Sequence, residues 1–208
     1  MAKPAYMIIA IDVHDAGVLD TYRDQAMPLL QEFGAELIAA TENFELTDGA
    51  WPRQRIVLLK FSALDQANAF WNAPAYQPMK ALRETASEQD TILVEGLFDE
   101  EPGAASADGT PHYLLGAASV TDPSWVEEYM QKVPPISAKF GVQALASGNE
   151  FTVLDGAWPR DAVVLLKFPS EQVFRDFWYG EDYRPMKELR EANSVGDHIA
   201  FAGLPSSA

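Results

Sequence analysis

The chain has 208 residues, enough for one large domain or two of roughly 100 residues each, and its 48% hydrophobic and 11% aromatic content is that of a chain that folds. Fifteen Lys and Arg against 31 Asp and Glu give a formal charge of -16, which repels phosphate backbones and anionic lipid, so nucleic acid and membrane are not expected partners. The absence of cysteine removes disulfides, thiolate nucleophiles and thiolate metal sites.

The opening MAKPAYMIIAIDVHD holds one Lys and an apolar run too short for a signal-peptide core, and no apolar stretch approaches the roughly 20 residues of a spanning helix. A cytoplasmic location is the expectation. YMIIAIDV (6–13) reads as a first strand, bounded by the helix-starting HDAG. The helix that follows carries Leu19, Tyr22, Ala26, Leu29 and Phe33 on one face, and Pro28 is expected to kink or split it. AELIAATENFELT and RIVLLKF read as two strands joined as a hairpin through Asp48-Gly49, a dipeptide in which both residues tolerate positive φ. A second helix carries Phe70 and Trp71, a turn holds PAYQPMKALRE, and DTILVEG is the fourth strand.

All of this is written twice. The hexapeptide DGAWPR at 48–53 returns at 155–160, and the same offset of 107 residues aligns Tyr6 with Tyr113, Tyr22 with Tyr129, VLLKF with VLLKF, FW with FW and PMK with PMK, without a gap. We therefore expect a first repeat over 1–98, a linker over 99–111 rich in Gly, Pro, Ala, Ser and acid, and a second repeat over 112–208. The order strand, helix, strand, strand, helix, strand is the ferredoxin-like βαββαβ unit of the α+β class, with helices on one face of an antiparallel sheet. Ile56 and Leu58 alternate with Val57, Leu59 and Phe61, so the third strand is apolar on both sides and a second sheet is expected to cover the helix-free face. The two halves would then pack face to face as an intrachain α/β barrel.

Tyr22-Arg23, ELTDGAW before the third strand, RIVLLKF, APAY at 73–76 and VEG at 94–96 resemble the small proteins of the DUF1330 family, within the dimeric α/β-barrel superfamily. The resemblance covers residues 4–97 and again 111–204. Since such proteins are usually single units that dimerise, it implies two fused units: a monomer containing an intrachain pseudo-dimer, with a further homodimer left open. The superfamily includes cofactor-independent monooxygenases, small-ring isomerases and lyases, and haem enzymes that use the barrel interior as a pocket; fold alone does not fix function.

The bland reading of DGAWPR is a turn whose Trp51 and Trp158 cap the structure; the functional reading makes the indoles walls of a pocket mouth. Lys60 and Lys167 read as strand-end lysines that snorkel, with a buried catalytic amine as the alternative. Arg83 and Arg190, each followed by Glu, read as helix-surface or capping ion pairs. The differences between the halves mark the candidate site. Asp12, His14, Arg23, Glu45 and Arg55 face Ser119, Thr121, Met130, Thr152 and Ala162, so the first repeat holds the ionisable set. Asp12 and His14, two apart at a strand end, form a candidate acid-base pair with Glu45, against the alternative of a surface Asp and His at a helix start. Arg23 and Arg55 are candidate grips for a carbonyl or carboxylate, with Tyr22 and Trp51 beside them. His112 and His198 have no histidine counterpart, and without HxH or HxxxH spacing no metal is expected. No phosphate loop or GxSxG elbow occurs and no cofactor is expected. Two functions stay open: an enzyme of isomerase, lyase or cofactor-independent monooxygenase type acting on a small, partly apolar carbonyl or carboxylate compound, and a non-catalytic ligand-binding or stress-response module.

Overall fold

The computed structural model describes residues 2–98 and 110–205. The first repeat runs β1 (Ala5–Val13), α1 (Ala16–Glu32), β2 (Glu36–Thr41), β3 (Glu45–Asp48), β4 (Arg55–Phe61), α2 (Leu64–Trp71), α3 (Tyr76–Glu84) and β5 (Ser87–Glu95). The second runs β6 (His112–Val120), a 3-10 turn at Pro123–Trp125, α4 (Val126–Lys139), β7 (Gln143–Gly148), β8 (Phe151–Asp155), β9 (Ala162–Phe168), α5 (Glu171–Trp178), α6 (Arg184–Asn193) and β10 (Ser194–Ala202). Residues 99–109 of the expected linker lie outside the described residues. Among the described residues no helix is long and apolar enough to cross a membrane.

Asp15 caps α1 by accepting from the Val18 amide at 3.0 Å, satisfying a donor that the first turn leaves open. Pro28 stands inside α1, and Pro134 and Pro135 inside α4, yet neither helix is split. In α1 the buried Leu19, Ala26, Leu29 and Leu30 hold the segment on the sheet on both sides of Pro28, which offsets the hydrogen bond that proline cannot donate.

The protein is an α+β fold of two antiparallel five-stranded sheets, ordered β2-β4-β1-β5-β8 and β3-β10-β6-β9-β7. Each sheet has four strands from one repeat and an edge strand from the other: β8 pairs with β5 through Ile92↔Val153, and β3 pairs with β10 through Ile199↔Leu46. The chain accordingly divides into two compact units, one built from 1–42, 52–100 and 150–158, the other from 43–51, 101–149 and 159–208. This corrects the expected hairpin. Gly49 and Gly156 do turn the chain at φ +65°, but β3 and β4 do not pair with each other; β4 lies between β1 and β2.

In the first unit the helices cover Met7, Leu59, Phe61 and Leu93, which join Phe70 and Tyr76 (ring centroids 4.4 Å apart) in one core. The opposite sheet face, with Tyr6, Ile8, Ile56, Leu58 and Ile92, is buried as well. The second unit repeats the core with Leu114, Phe168, Phe177 and Tyr183, the last two stacked at 4.5 Å.

The repeated hexapeptide has a specific task in each unit. Asp155 Oδ2 accepts from Arg83 Nη2 at 2.7 Å, and the Ala157 amide donates to Asp90 Oδ1 at 2.9 Å. In the other unit Asp48 Oδ2 accepts from Arg190 Nη2 at 3.3 Å, and the Ala50 amide donates to Asp197 Oδ1 at 2.9 Å. The arginine that closes each hexapeptide returns to the same carboxylates: Arg53 Nε to Asp90 at 2.8 Å and Arg160 Nε to Asp197 at 2.6 Å. Gly lies between the Asp and the Ala because a Cβ at Gly49 would sit 2.3 Å from both Asp197 Oδ1 and the Gly196 carbonyl, and one at Gly156 equally close to Asp90 and Gln89. Gly49→Ala and Gly156→Ala should each destabilise by roughly 2–5 kcal/mol, the sum of left-handed backbone strain and overpacking. Denaturant melts of the two variants check this; an unchanged midpoint for either would remove the turn from the fold's requirements.

Candidate functional site

Helix α1 lies over β1, β2 and β4 and encloses a cleft of about 100 Å³ in the first unit. Its walls are apolar, among them Ile9, Ile11, Leu19, Met27, Leu30 and Leu59, and they are interrupted by Tyr22, Arg23, Arg55, Arg83 and Gln89. The lining places three guanidinium groups beside an apolar space, and among the described residues it includes no Asp, Glu or His.

The cations differ in how far they are committed. Among the described residues Arg23 pairs with Asp20 alone, one turn away at 3.2 Å, with both side chains more than half exposed. Arg55 approaches Glu42 at 3.5 Å, and that carboxylate is exposed. Exposed pairs of this kind contribute little, so both guanidiniums are available to another anion. Arg83 is 2% exposed and held at both terminal nitrogens, Nη1 donating to the Tyr76 hydroxyl at 2.8 Å and Nη2 to Asp155, while its buried Nε has no hydrogen-bond partner among the described residues. Tyr76 in turn meets the Tyr22 hydroxyl at 3.2 Å. Sequence reasoning placed Arg83 and Arg190 on the helix surface; they are buried, because their carboxylate partners arrive on an edge strand from the other repeat.

Tyr22, Arg23 and Arg55 therefore share the wall of one cleft, and the other candidates stand elsewhere. Asp12 accepts from Arg53 Nη1 at 3.2 Å and from the Gln54 amide at 2.8 Å. Ser119 does the equivalent work in the second repeat by accepting from the Asp161 amide at 3.4 Å, so this difference between the halves has a structural cause. His14 is exposed at the start of α1. Glu45 belongs to the second unit, where Arg175 Nη2 and the Tyr179 hydroxyl donate to it at 3.1 and 2.6 Å; burial first, and this bond second, push the Tyr179 phenol up to about 12. Trp51 also falls in the second unit and is half-buried.

Sequence reasoning missed a cluster in the second unit. His198 is 3% exposed; its Nδ1 lies 3.5 Å from Asp48 Oδ2, and the Trp178 ring centre is 5.8 Å away. The imidazole occupies the space that side chains at 116 and 196 would need: a Cβ on Gly116 would be 2.4 Å from its Cδ2, and one on Gly196 2.3 Å from its Cε1. The first repeat has Ile9, Gln89 and Thr91 where the second has Gly116, Gly196 and His198. The signal was present as three linked differences, legible once strand register puts His198 opposite Gly116.

The model of the family described as "Domain of unknown function (DUF1330)" matches residues 4–97 and 111–204. The chain belongs to the DUF1330 family. No curated protein matches it. Among solved structures, a candidate monooxygenase from Lactobacillus acidophilus NCFM is 12% identical with a TM-score of 0.55, covering 99% of this chain and 98% of its own. An anthrone oxidase-like protein is 8% identical with a TM-score of 0.53 over 100% and 98%. A mutant chlorite dismutase from Candidatus Nitrospira defluvii is 9% identical with a TM-score of 0.55 over 96% and 92%. At these identities the likeness concerns the fold.

The two DUF1330 repeats also differ in what pH should do to them. Burial holds the His198 imidazole below its ordinary value of 6.5, against the pull of Asp48 and Asp197 and with the help of Arg190; burial likewise depresses His112. A depressed histidine is neutral in the fold and charges more readily when unfolded, so its contribution is intact above about pH 6.5 and is lost as pH falls below that. Asp48 is held below its ordinary value of 3.8, by His198 first and also by Arg190 against desolvation, so its contribution is lost only at pH values below about 3.8. The thermal midpoint should therefore fall between pH 7.5 and 5.5, and His198→Gln should flatten that fall. Equal slopes for the variant and the parent would mean that His198 does not titrate with folding.

Proposed function

We propose that the first unit binds a small, partly apolar compound carrying a carboxylate or carbonyl group, with its apolar part in the cleft under α1 and its oxygen atoms against Arg23 and Arg55. The observation that carries this reading is the lining: apolar walls with two guanidiniums that, among the described residues, are held by exposed carboxylates alone. Apolar enclosure supplies affinity, and a few placed donors supply orientation. A cavity of about 150 Å³ holds benzene, so a cleft of about 100 Å³ suits a single ring or a short chain whose polar end stays at the rim.

Binding is the function that the geometry supports best, since the lining offers cations and a phenol and, among the described residues, no carboxylate or imidazole to act as a base. Acid-base turnover of isomerase, lyase or cofactor-independent monooxygenase type is the second reading, and Tyr22 favours it as a proton-bearing group in the cleft wall.

In the second repeat Met130 and Ala162 replace Arg23 and Arg55, which makes a built-in control. Benzoate titrated into the protein and followed by amide NMR should shift residues of α1 and β4. Arg55→Ala and Arg23→Met should each weaken it about tenfold, corresponding to ~1.4 kcal/mol for one charge-assisted contact. Shifts confined to α4 and β9 would place the site in the second repeat and defeat the reading.

A further inference from the structure

The hydrogen bonds behind the first unit's cleft have a direction. A guanidinium only donates, so the 2.8 Å contact from Arg83 Nη1 occupies a lone pair of the Tyr76 hydroxyl. Tyr76 is 2% exposed, and among the described residues the one other polar atom its hydroxyl meets is the Tyr22 hydroxyl at 3.2 Å. If Tyr22 donated to Tyr76, the buried Tyr76 proton would have no acceptor, a desolvation cost that the opposite arrangement avoids. Tyr76 therefore donates to Tyr22. Burial holds the Tyr76 phenol far above the ordinary tyrosine range, so that proton stays in place. The Tyr22 oxygen is an acceptor in this chain, its own proton points away from Tyr76, and Tyr22 lines the cleft.

We propose that Tyr22 donates a hydrogen bond to an oxygen of the ligand, as the last link of a one-way chain from Arg83 through Tyr76, and that the cleft thereby selects hydrogen-bond acceptors: small apolar carboxylates and carbonyl compounds. Two further contacts strengthen the chain. Arg83 Cζ lies 6.0 Å from the Tyr22 ring centre, so the same cation that starts the chain polarises the phenol at its end. Arg83 is itself fixed by Asp155 at 2.7 Å, so the donor direction is set by a residue that does not line the cleft. Donor bonds in series polarise one another, and the terminal hydroxyl is the stronger donor for it. An ammonium group, which has no lone pair to accept the Tyr22 proton, finds no partner there and also meets three guanidiniums.

This inference rests on the cleft being the ligand site, and two probes separate the two ideas. Benzoate and toluene share a ring and differ in the acceptor. Both should bind the whole protein, read by NMR titration. Tyr22→Phe, which keeps the ring and removes the donor, should weaken benzoate about tenfold and leave toluene unchanged. Tyr76→Phe, a positioning change behind the wall, should weaken benzoate by a smaller factor and again leave toluene unchanged; a merely structural role would move both probes together. Benzoate binding that is indifferent to Tyr22→Phe, or toluene weakened as much as benzoate by either variant, overturns the chain while leaving the cleft as a site. Binding of neither probe to the unaltered protein removes the cleft reading, and the chain with it.

Discussion

A guanidinium buried beneath helices must have a carboxylate, and the rest of this structure is arranged around supplying one. Arg83 and Arg190 are 2% and 8% exposed. Leaving either unpaired would strand a charge in the core, at a cost of about 3–5 kcal/mol. From its own segment each repeat provides only the adjacent glutamate, Glu84 at 3.8 Å from Arg83 and Glu191 at 3.3 Å from Arg190, both about half exposed. Asp155 comes to Arg83 on β8, and Asp48 comes to Arg190 on β3, so the exchange of edge strands between repeats is also an exchange of counter-ions. The edge strands are short and bury little apolar surface. They span four and five residues, and their outward Leu46 and Val153 are 51% and 45% exposed. Both gain the sheet ladder, the ion pair at the end of the strand, and the amide that follows the turn glycine and is bound by Asp90 or Asp197; β3 is also held at Glu45 by Arg175 and Tyr179 and at Thr47 by the His198 carbonyl.

That arrangement explains why one short chain carries DGAWPR twice. The Asp serves a buried arginine, the Gly permits a close approach that a Cβ would block, the next amide satisfies a buried carboxylate, and the closing Arg returns to the corresponding carboxylate of the unit it re-enters. The Asp, the Gly and the Arg are each set by a contact outside the hexapeptide. Turn chemistry accounts for the glycine's backbone angle alone.

Much of the architecture could be read from the sequence, because period-2 and helical patterns are local and the repeat doubles the signal. What could not be read was long-range pairing. Asp48-Gly49 announces a turn, and a turn between two apolar segments suits a hairpin as well as a strand exchange; the choice is made by Arg190, which lies 142 residues from Asp48. Arg83 followed by Glu84 looks like a surface ion pair for the same reason, since its deciding partner is 72 residues away. Comparison of the halves exposes Arg23 and Arg55, which become Met130 and Ala162 in the second copy, while Tyr22 is kept as Tyr129. The same comparison cannot tell a site from a rewired scaffold. Asp12 differs from Ser119, yet both hold the corresponding backbone amide. Glu45 differs from Thr152 because Arg175 and Tyr179, its partners, are themselves particular to the second repeat.

Sorting the differences by what they touch separates the scaffold from the parts free to diverge. The Tyr-Tyr contact is kept in both units, at 3.2 Å between Tyr22 and Tyr76 and 2.7 Å between Tyr129 and Tyr183, as are the Arg–Asp pairs and the turns. Changes accumulate on the sheet floor beneath the first long helix of each repeat. There Ile9, Gln89 and Thr91 give way to Gly116, Gly196 and His198, and Arg55 to Ala162. These replacements are mutually dependent, since the His198 ring fits only where both flanking positions lack a Cβ. A floor that drifted without constraint would not keep its volumes matched around a buried imidazole that burial holds neutral. The second unit is thus a re-specified floor on an unchanged frame. On the proposed reading, binding by the first unit's cleft is tuned through Arg23 and Arg55 without disturbing the buried arginine that both frames require.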